Sequence, residues 1–224
     1  MPEQLPSNEK ILDFCRPHYR QGARTLVYPS ENAPIAFIKI ASPQSGVKSE
    51  ISNQDFAFNA LEALPERERA GIRVPKIYRV VEEASTRYII MEYVQGQTLK
   101  ELLDQDISHD LYFNKISKAV KLFLSFEVPD NATPGPVANM PVTNDLSINF
   151  QNEDLCFCYS DLFEGNFIFT DKDDLYIVDF EHTGFLPASF MTYALDQPRP
   201  ACTAIKKDFA LLPHENLEAM RVAL

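Results

Sequence analysis

The feature that most constrains the fold is a segment between residues 155 and 181, in which three short apolar runs are separated by polar turns. The runs at residues 155–159, 166–170 and 175–179 have the length and composition of β-strands. The polar sequence at residues 171–174 is typical of a hairpin turn between the last two runs. This segment therefore predicts a small β unit that carries acidic residues at its turns.

The rest of the chain predicts further strands and several helices, among them a short one from Thr98 to Asp104. Residues 34–40 form an apolar, β-branched run, and residues 77–81 and 88–94 predict a β-hairpin. Apolar residues recur with a helical period from about residue 49 to 64 and, most clearly, at residues 111–126. Strands dominate the first half and a long helix occupies the middle, which indicates an α+β fold.

Three regions have a less regular pattern. Residues 1–25 show no strong period. Residues 129–154 are rich in Pro, Asn and Asp and predict a long irregular connection, a type of segment that often has a function. One or two helices are expected after residue 203. The change in pattern near residues 92–96 predicts two lobes, with residues 1–94 in the first and residues 95–224 in the second.

Charge and apolar content limit the partners. The net charge is −11, from 32 acidic and 21 basic residues, and such a surface repels nucleic-acid backbones and anionic membranes. The apolar runs are too short to span a bilayer, and the N-terminus has no secretory signal pattern, so we expect a cytoplasmic protein. The four cysteines and four histidines form no zinc-binding pattern and predict reduced thiols.

The acidic turns carry the candidate chemistry. Asp161 and Asn166 are five positions apart, and Asp179 ends the apolar run that follows the hairpin turn. Phosphoryl transfer requires a carboxylate that orients and deprotonates the attacking hydroxyl, together with oxygen ligands for Mg²⁺. A tight turn would direct Asp161 towards the acceptor, and the hairpin would return Asp179 beside Asn166. The alternative interpretation is that these residues have no chemical role and only stabilise turns.

Two motifs support the first interpretation. The sequences CYSDLFEGNFI, at residues 158–168, and IVDFEHTGF, at residues 177–185, resemble the two signatures of the aminoglycoside phosphotransferase/choline kinase family, and are closest to a fungal branch of it. Residues 74–78 and 90–96 resemble the strand before the family's hinge and the hinge itself. The likeness covers about residues 35–195. It implies a protein kinase-like fold, with a small β-rich N-lobe that binds the nucleotide and a shortened, mainly helical C-lobe.

The resemblance also implies cofactors and catalytic roles. The cofactors would be ATP and Mg²⁺, and the partner would be a small molecule with a hydroxyl acceptor group. Asp161 would be the catalytic base, and Asn166 and Asp179 would bind Mg²⁺. Neither the acceptor nor the oligomeric state is predicted.

Nucleotide-binding residues follow from the same resemblance. Glu92, Tyr93 and Val94 would hold adenine through their backbone. Lys39 corresponds to the family's phosphate-binding lysine, which pairs with a helix glutamate. For that partner Glu50 is preferred, while Asp55 and Glu62 remain alternatives.

Two other functions remain open. A pseudokinase would keep the fold and bind a ligand without turnover; Tyr159, at a position where the family has His, and the lack of a glycine-rich phosphate loop favour this alternative. A structural interaction domain would use the acidic residues only to stabilise turns. Retention of Lys39, Asp161, Asn166 and Asp179 together favours the enzyme.

Overall fold

The computed structural model describes residues 5–41, 47–130, 132, 148–150 and 152–223. Most of the predicted connection at residues 129–154 lies outside these ranges. The helices are α1 (Asn8–Arg20), α2 (Val47–Ala63), α3 (Glu66–Arg69), α4 (Leu99–Leu103), α5 (Asp110–Leu124), α6 (Ser189–Leu195), α7 (Pro200–Ile205) and α8 (Leu217–Ala223). The strands are β1 (Thr25–Tyr28), β2 (Ala36–Ala41), β3 (Ile72–Arg73), β4 (Ile77–Glu83), β5 (Thr86–Glu92), β6 (Gln97–Thr98), β7 (Leu155–Tyr159), β8 (Phe167–Phe169), β9 (Leu175–Ile177) and β10 (Thr183–Pro187). The fold is α+β, as predicted.

An antiparallel sheet in the order β1–β2–β5–β4 forms the first part of the molecule. The predicted hairpin at residues 77–94 is its β4–β5 pair. Helix α1 covers one face of the sheet and buries Ile11 and Cys15 against it. The prediction missed this helix, whose interior contains Pro17, a residue that usually ends or kinks a helix. Its start is marked by Ser7, whose side chain accepts a hydrogen bond from the backbone N–H of Lys10.

The second part contains the larger core. Helix α5 packs against β7 and buries Ile116, Ala119, Val120 and Phe123. Strand β7 pairs with β10, which the sequence analysis did not predict, and α6 follows directly. The charged residues of α3, whose sequence is typical of a loop, form one helical turn. No helix within the described residues has the length and apolar character that crossing a membrane requires.

A third sheet joins the acidic hairpin to the rest of the chain. The hairpin β8–β9 pairs with β6 on one side and, in parallel, with β3 on the other. Strands β3 and β6 lie before and after β4 and β5 in sequence, so this sheet fixes the hairpin relative to the first sheet. Gly96 permits the approach, because a Cβ atom there would lie 2.3 Å from the carbonyl oxygen of Phe169.

Asp196, at the end of α6, connects the C-terminal elements. Its carboxylate accepts hydrogen bonds from Lys206 Nζ at 2.6 Å and from Arg221 Nε at 2.7 Å. The hydrogen bonds from Arg221 and then Lys206 lower the pKa of Asp196 to about 2. The ion pairs therefore contribute stability above about pH 4, and this contribution disappears as the pH falls towards 2.

We expect Asp196→Asn to lower the free energy of unfolding at pH 7 by about 1–2 kcal/mol, because solvent screening reduces the full linkage value. The difference from wild type should shrink between about pH 4 and pH 2. Urea unfolding at a series of pH values measures it. Asp171→Asn, in the exposed hairpin turn, is the control. A difference that is constant with pH would contradict the assigned ion pairs.

Candidate active site

A lysine and two carboxylates meet where the first sheet faces the acidic hairpin. Lys39 extends from β2, and its Nζ lies 2.6 Å from Glu50 Oε1 of α2 and 2.8 Å from Asp179 Oδ1. Of the three acidic residues considered as the partner of Lys39, the structure brings Glu50 into contact. Glu62 instead pairs with Arg69. The ion pair thus links the sheet, α2 and the turn after β9.

The acidic side chains around Lys39 carry more charge than Lys39 neutralises. Burial lowers the pKa of Lys39, but the carboxylates of Glu50 and Asp179 outweigh it and hold the pKa above its ordinary value. Burial raises the pKa of Glu50 more than the charge of Lys39 lowers it, and Asp179 and Glu181 add to the increase. One ammonium group is shared by two carboxylates, with a third nearby. The excess negative charge favours binding of a cation.

Asn166 connects the turn that carries Asp161 with the turn that carries Asp179. Its Nδ2 donates hydrogen bonds to the carbonyl oxygen of Asp161 at 3.2 Å and to Asp161 Oδ2 at 3.1 Å. The backbone N–H of Val178 donates to the carbonyl oxygen of Asn166 at 3.0 Å. The structure therefore brings Asp161, Asn166 and Asp179 together, as the sequence spacing predicted.

Asp179 has an unusual backbone conformation. Its φ is +64°, in the left-handed region that non-glycine residues seldom adopt, although Asp and Asn tolerate it better than most. The next residue, Phe180, is completely buried in the main core. Burial of Phe180 fixes the chain after the turn, and the left-handed turn directs the Asp179 carboxylate towards Lys39. Strained residues of this kind concentrate at functional sites.

The donor atoms fit Mg²⁺. With Nδ2 of Asn166 bonded to Asp161, its Oδ1 is the atom that would ligate a metal, together with Oδ2 of Asp179. Mg²⁺ commonly takes one or two protein oxygens and keeps water and phosphate oxygens in its other positions. The described residues contain no cluster of three or more His, Cys, Asp or Glu side chains suited to a metal.

An apolar slot of about 280 Å³ extends from Lys39 along the sheet. Its apolar lining comes from both sides and comprises Val27, Phe37, Met91, Ile168 and Val178. At the far end are Glu92, Tyr93 and Val94. In the β2–β5 register, Lys39 lies opposite Ile89 and Ala36 opposite Glu92, so the two ends are three residues, or about 10 Å, apart.

The far end offers free backbone groups. Within the described part of the chain, the N–H and C=O groups of Tyr93 and Val94 make no hydrogen bond. The side chain of Glu92 is occupied, since its Oε2 accepts from the N–H of Lys76 and its Oε1 from the hydroxyl of Tyr176, each at 3.2 Å. A ligand at this end would therefore meet backbone donors and acceptors beside apolar walls.

Within the described residues, no glycine-rich hairpin covers the Lys39 end of the slot. The strand before β2 is β1, and the element before β1 is the helix α1. Among the described residues, no second strand precedes β1 to form a flap over the slot. This agrees with the absence of a glycine-rich motif in the sequence.

Tyr159 holds the two acidic turns together. Its ring is buried against Phe123, Phe167 and Phe180, and its hydroxyl donates a hydrogen bond to the carbonyl oxygen of Val178. Burial raises the pKa of Tyr159 well above its ordinary value, so the hydroxyl stays protonated and remains a donor. The hydrogen bond connects the strand that leads to Asp161 with the residue before Asp179.

We expect Tyr159→Phe to lower the free energy of unfolding by about 1–2 kcal/mol, because the ring still packs but the partly buried carbonyl of Val178 loses its donor. Guanidinium unfolding measures this loss. Tyr112→Phe is a suitable control, because the ring of Tyr112 packs on Phe169 while its hydroxyl has no hydrogen bond among the described residues. Equal stability of the Tyr159 variant and wild type would contradict the role of the hydroxyl.

Two residues near Asp161 were not predicted. Arg199 Nη1 lies 2.6 Å from Asp161 Oδ1, and its guanidinium lies over the ring of Phe163, 5.7 Å from the centroid. Glu164 is buried, and its Oε1 accepts a hydrogen bond from the N–H of Ala201 at 3.2 Å. The only sequence signal for Arg199 is its position between two prolines, which does not show what it contacts.

Comparisons with known proteins leave the family open. No protein-family model matches the chain, and no curated protein matches it significantly. The residues of the slot and of the two acidic turns are therefore the features of the molecule that bear on its function.

Proposed function

We propose that the protein is an ATP- and Mg²⁺-dependent phosphotransferase that acts on a hydroxyl group of a small molecule. In this proposal the first sheet, with α1 and α2, forms the N-lobe of a protein kinase-like fold, and the elements after β5 form the C-lobe. The observation that carries the proposal is the contact of Lys39 with both Glu50 and Asp179 at the charged end of the slot. A nucleotide has the same division, with an apolar base at one end and phosphates at the other.

Each residue has a role that its environment supports. The backbone of Tyr93 and Val94 binds the edge of adenine, and the apolar walls pack on its faces. Lys39, positioned by Glu50, binds phosphate oxygens. Asn166 and Asp179 hold Mg²⁺, which neutralises phosphate charge when bound.

Asp161 is the proposed base for the transfer. Its carboxylate orients the acceptor hydroxyl and receives its proton while the acceptor oxygen bonds to the γ-phosphorus. The bond between the γ-phosphorus and the bridging oxygen breaks, and ADP leaves. Little covalent chemistry is required of the protein, so positioning and charge account for most of the catalysis.

A pseudokinase is the second candidate. Tyr159 at the position of the family's His and the helix α1 in place of a glycine-rich flap favour it. Against it, the four polar residues of the enzyme proposal are all present and form two contacting pairs, Lys39–Asp179 and Asp161–Asn166. Turnover separates the two candidates, since both would bind nucleotide.

The test is thermal unfolding with and without Mg·ATP. Wild type at 100 times the dissociation constant should gain about 2.7 kcal/mol of stability, which raises the melting temperature by several degrees. Lys39→Met should lose most of this ligand-dependent gain, whatever its own melting temperature, because the ammonium that binds phosphate is absent. Lys172→Met, in the exposed hairpin turn, should keep it.

If Mg·ATP leaves the melting temperature of wild type unchanged, the proposed nucleotide site is wrong. If it stabilises the protein but no ADP forms with any of a broad panel of hydroxyl compounds, the pseudokinase is correct.

A further inference from the structure

Arg199 presents a free cationic surface next to the proposed base. Only its Nη1 is bonded, to Asp161, so the described residues leave Nε and Nη2 without an acceptor. The side chain is 38% exposed, and Phe163 below it is 40% exposed. Neither Arg199 nor Asp161 lines the apolar slot, whereas Asn166, which is hydrogen-bonded to Asp161, does; Asp161 and Arg199 therefore lie outside the slot and next to it.

The position of Arg199 is fixed by the turn that carries Asp161. Glu164, three residues after Asp161, is buried and accepts a hydrogen bond from the N–H of Ala201. The carbonyl oxygen of Arg199 accepts from the N–H of Thr203 at 2.9 Å, and Pro200 restricts its backbone to an extended conformation. The aromatic face of Phe163 supports the guanidinium plane. Such a preorganised arginine loses little entropy when it binds a ligand.

The positive charge of Arg199 determines which classes of acceptor can bind beside it. A guanidinium has five N–H donors in a planar fork that matches the oxygens of a carboxylate or phosphate. An acceptor with an ammonium group would meet this cation directly, and the negative charge of Asp161, which would otherwise attract it, is already paired with Arg199. The carboxylate of Asp161 has about four lone-pair positions, of which Arg199 and Asn166 use two. It can therefore still accept a hydrogen bond from an acceptor hydroxyl.

Resting on the proposed phosphotransferase function, we propose that Arg199 is the acceptor-binding residue and that the acceptor carries an oxyanion, a carboxylate or a phosphate, close to its reacting hydroxyl. Arg199 binds the oxyanion and Asp161 takes the proton of the neighbouring hydroxyl. The acceptor oxygen bonds to the γ-phosphorus, whose bond to the bridging oxygen of ADP breaks.

The test uses four probes on one three-carbon framework: glycerate, glycerol 3-phosphate, glycerol and 3-amino-1,2-propanediol. Their binding to the whole protein is measured by saturation-transfer NMR, with and without Mg·ATP. Glycerate or glycerol 3-phosphate should bind wild type at least about 10-fold more tightly than the amine, and the stronger of the two identifies the oxyanion. Arg199→Gln should weaken that binding by about 10–100-fold, the usual range for a hydrogen bond to a charged group. Arg199→Lys should lie between, since it keeps the charge but loses the fork.

Arg221→Gln is the matched control, because it breaks another partly exposed arginine–aspartate pair, with Asp196, away from Asp161. It should bind the probes as wild type does. Three results would overturn the proposal. In the first, neither anion binds wild type; in the second, the anions bind no more tightly than the amine; in the third, their binding is unchanged in Arg199→Gln. Faster ADP formation with glycerol in Arg199→Gln also overturns it, because Arg199 would then only block the base.

The two proposals fail in different ways. If the anions bind through Arg199 but Mg·ATP does not bind, the phosphotransferase function is wrong and the oxyanion site stands. If Mg·ATP binds and ADP forms, but binding of the anionic probes does not depend on Arg199, the phosphotransferase function stands and the proposed acceptor class is wrong.

Discussion

Replacing Asp161 with Asn is expected to slow acceptor-dependent ADP formation by about 10²–10⁴-fold, the usual cost of removing a general base. The amide keeps the size of the side chain but cannot take the acceptor proton. Mg·ATP affinity should change little, because Asp161 does not line the slot. Steady-state ADP release and calorimetry with Mg·ATP measure the two quantities separately.

The combination of lost turnover and retained nucleotide affinity is what identifies a base. Removing Asp161 also frees Arg199 from its ion pair, so Arg199→Gln serves as a companion variant that breaks the same contact without removing the base. Turnover by Asp161→Asn at the rate of wild type would show that Asp161 is not the base. The catalytic interpretation of the whole turn would then be wrong.

Replacing Asp179 with Asn is expected to weaken Mg²⁺-dependent ATP binding by about 10–100-fold, because the metal and Lys39 both lose a charged partner. Asn is preferred to Ala because the φ of +64° suits Asn but strains most other residues. The fold should remain stable, since the variant leaves Lys39 paired with Glu50 alone and relieves the excess negative charge. Calorimetry with and without Mg²⁺ measures the binding.

The chain contains a matched control for this variant. Asp173, in the turn between β8 and β9, has a φ of +62° and is highly exposed, so Asp173→Asn makes the same change in the same backbone conformation away from the slot. It should bind Mg·ATP as wild type does. Equal affinity in wild type and Asp179→Asn would remove Asp179 from the metal site.

The elements that were predicted from the sequence have strong local patterns. The hairpin β4–β5 has two apolar runs around a polar turn, and α5 has a long apolar stripe. The elements that were missed contain residues that count against them locally. Helix α1 has Pro17 in its interior, and β10 contains Gly184 and ends at Pro187, both uncommon in strands. These elements form because the core offers a surface on which they pack.

The residues of the candidate site were likewise predicted only where a local pattern marks them. Spacing along the chain located Asp161, Asn166 and Asp179, because a turn and a hairpin bring them together over a short distance. It did not distinguish among Glu50, Asp55 and Glu62 as the partner of Lys39. Asp55 and Glu62, seven residues apart, share one side of α2 and Glu50 lies on another, and only the packing of that helix on the sheet determines which side faces Lys39.

The sequence by itself determined the local conformations of this protein, that is, the β unit with its acidic turns, the α5 helix and the apolar strand that carries Lys39. Their patterns depend on neighbours a few residues away, so they can be read along the chain. Only the tertiary structure decided the contacts between distant residues. Lys39 and Asp179 are 140 positions apart, and Arg199 and Asp161 are 38 apart. Such pairs form because buried side chains such as Phe180 lock the elements in place, and no local pattern encodes that packing.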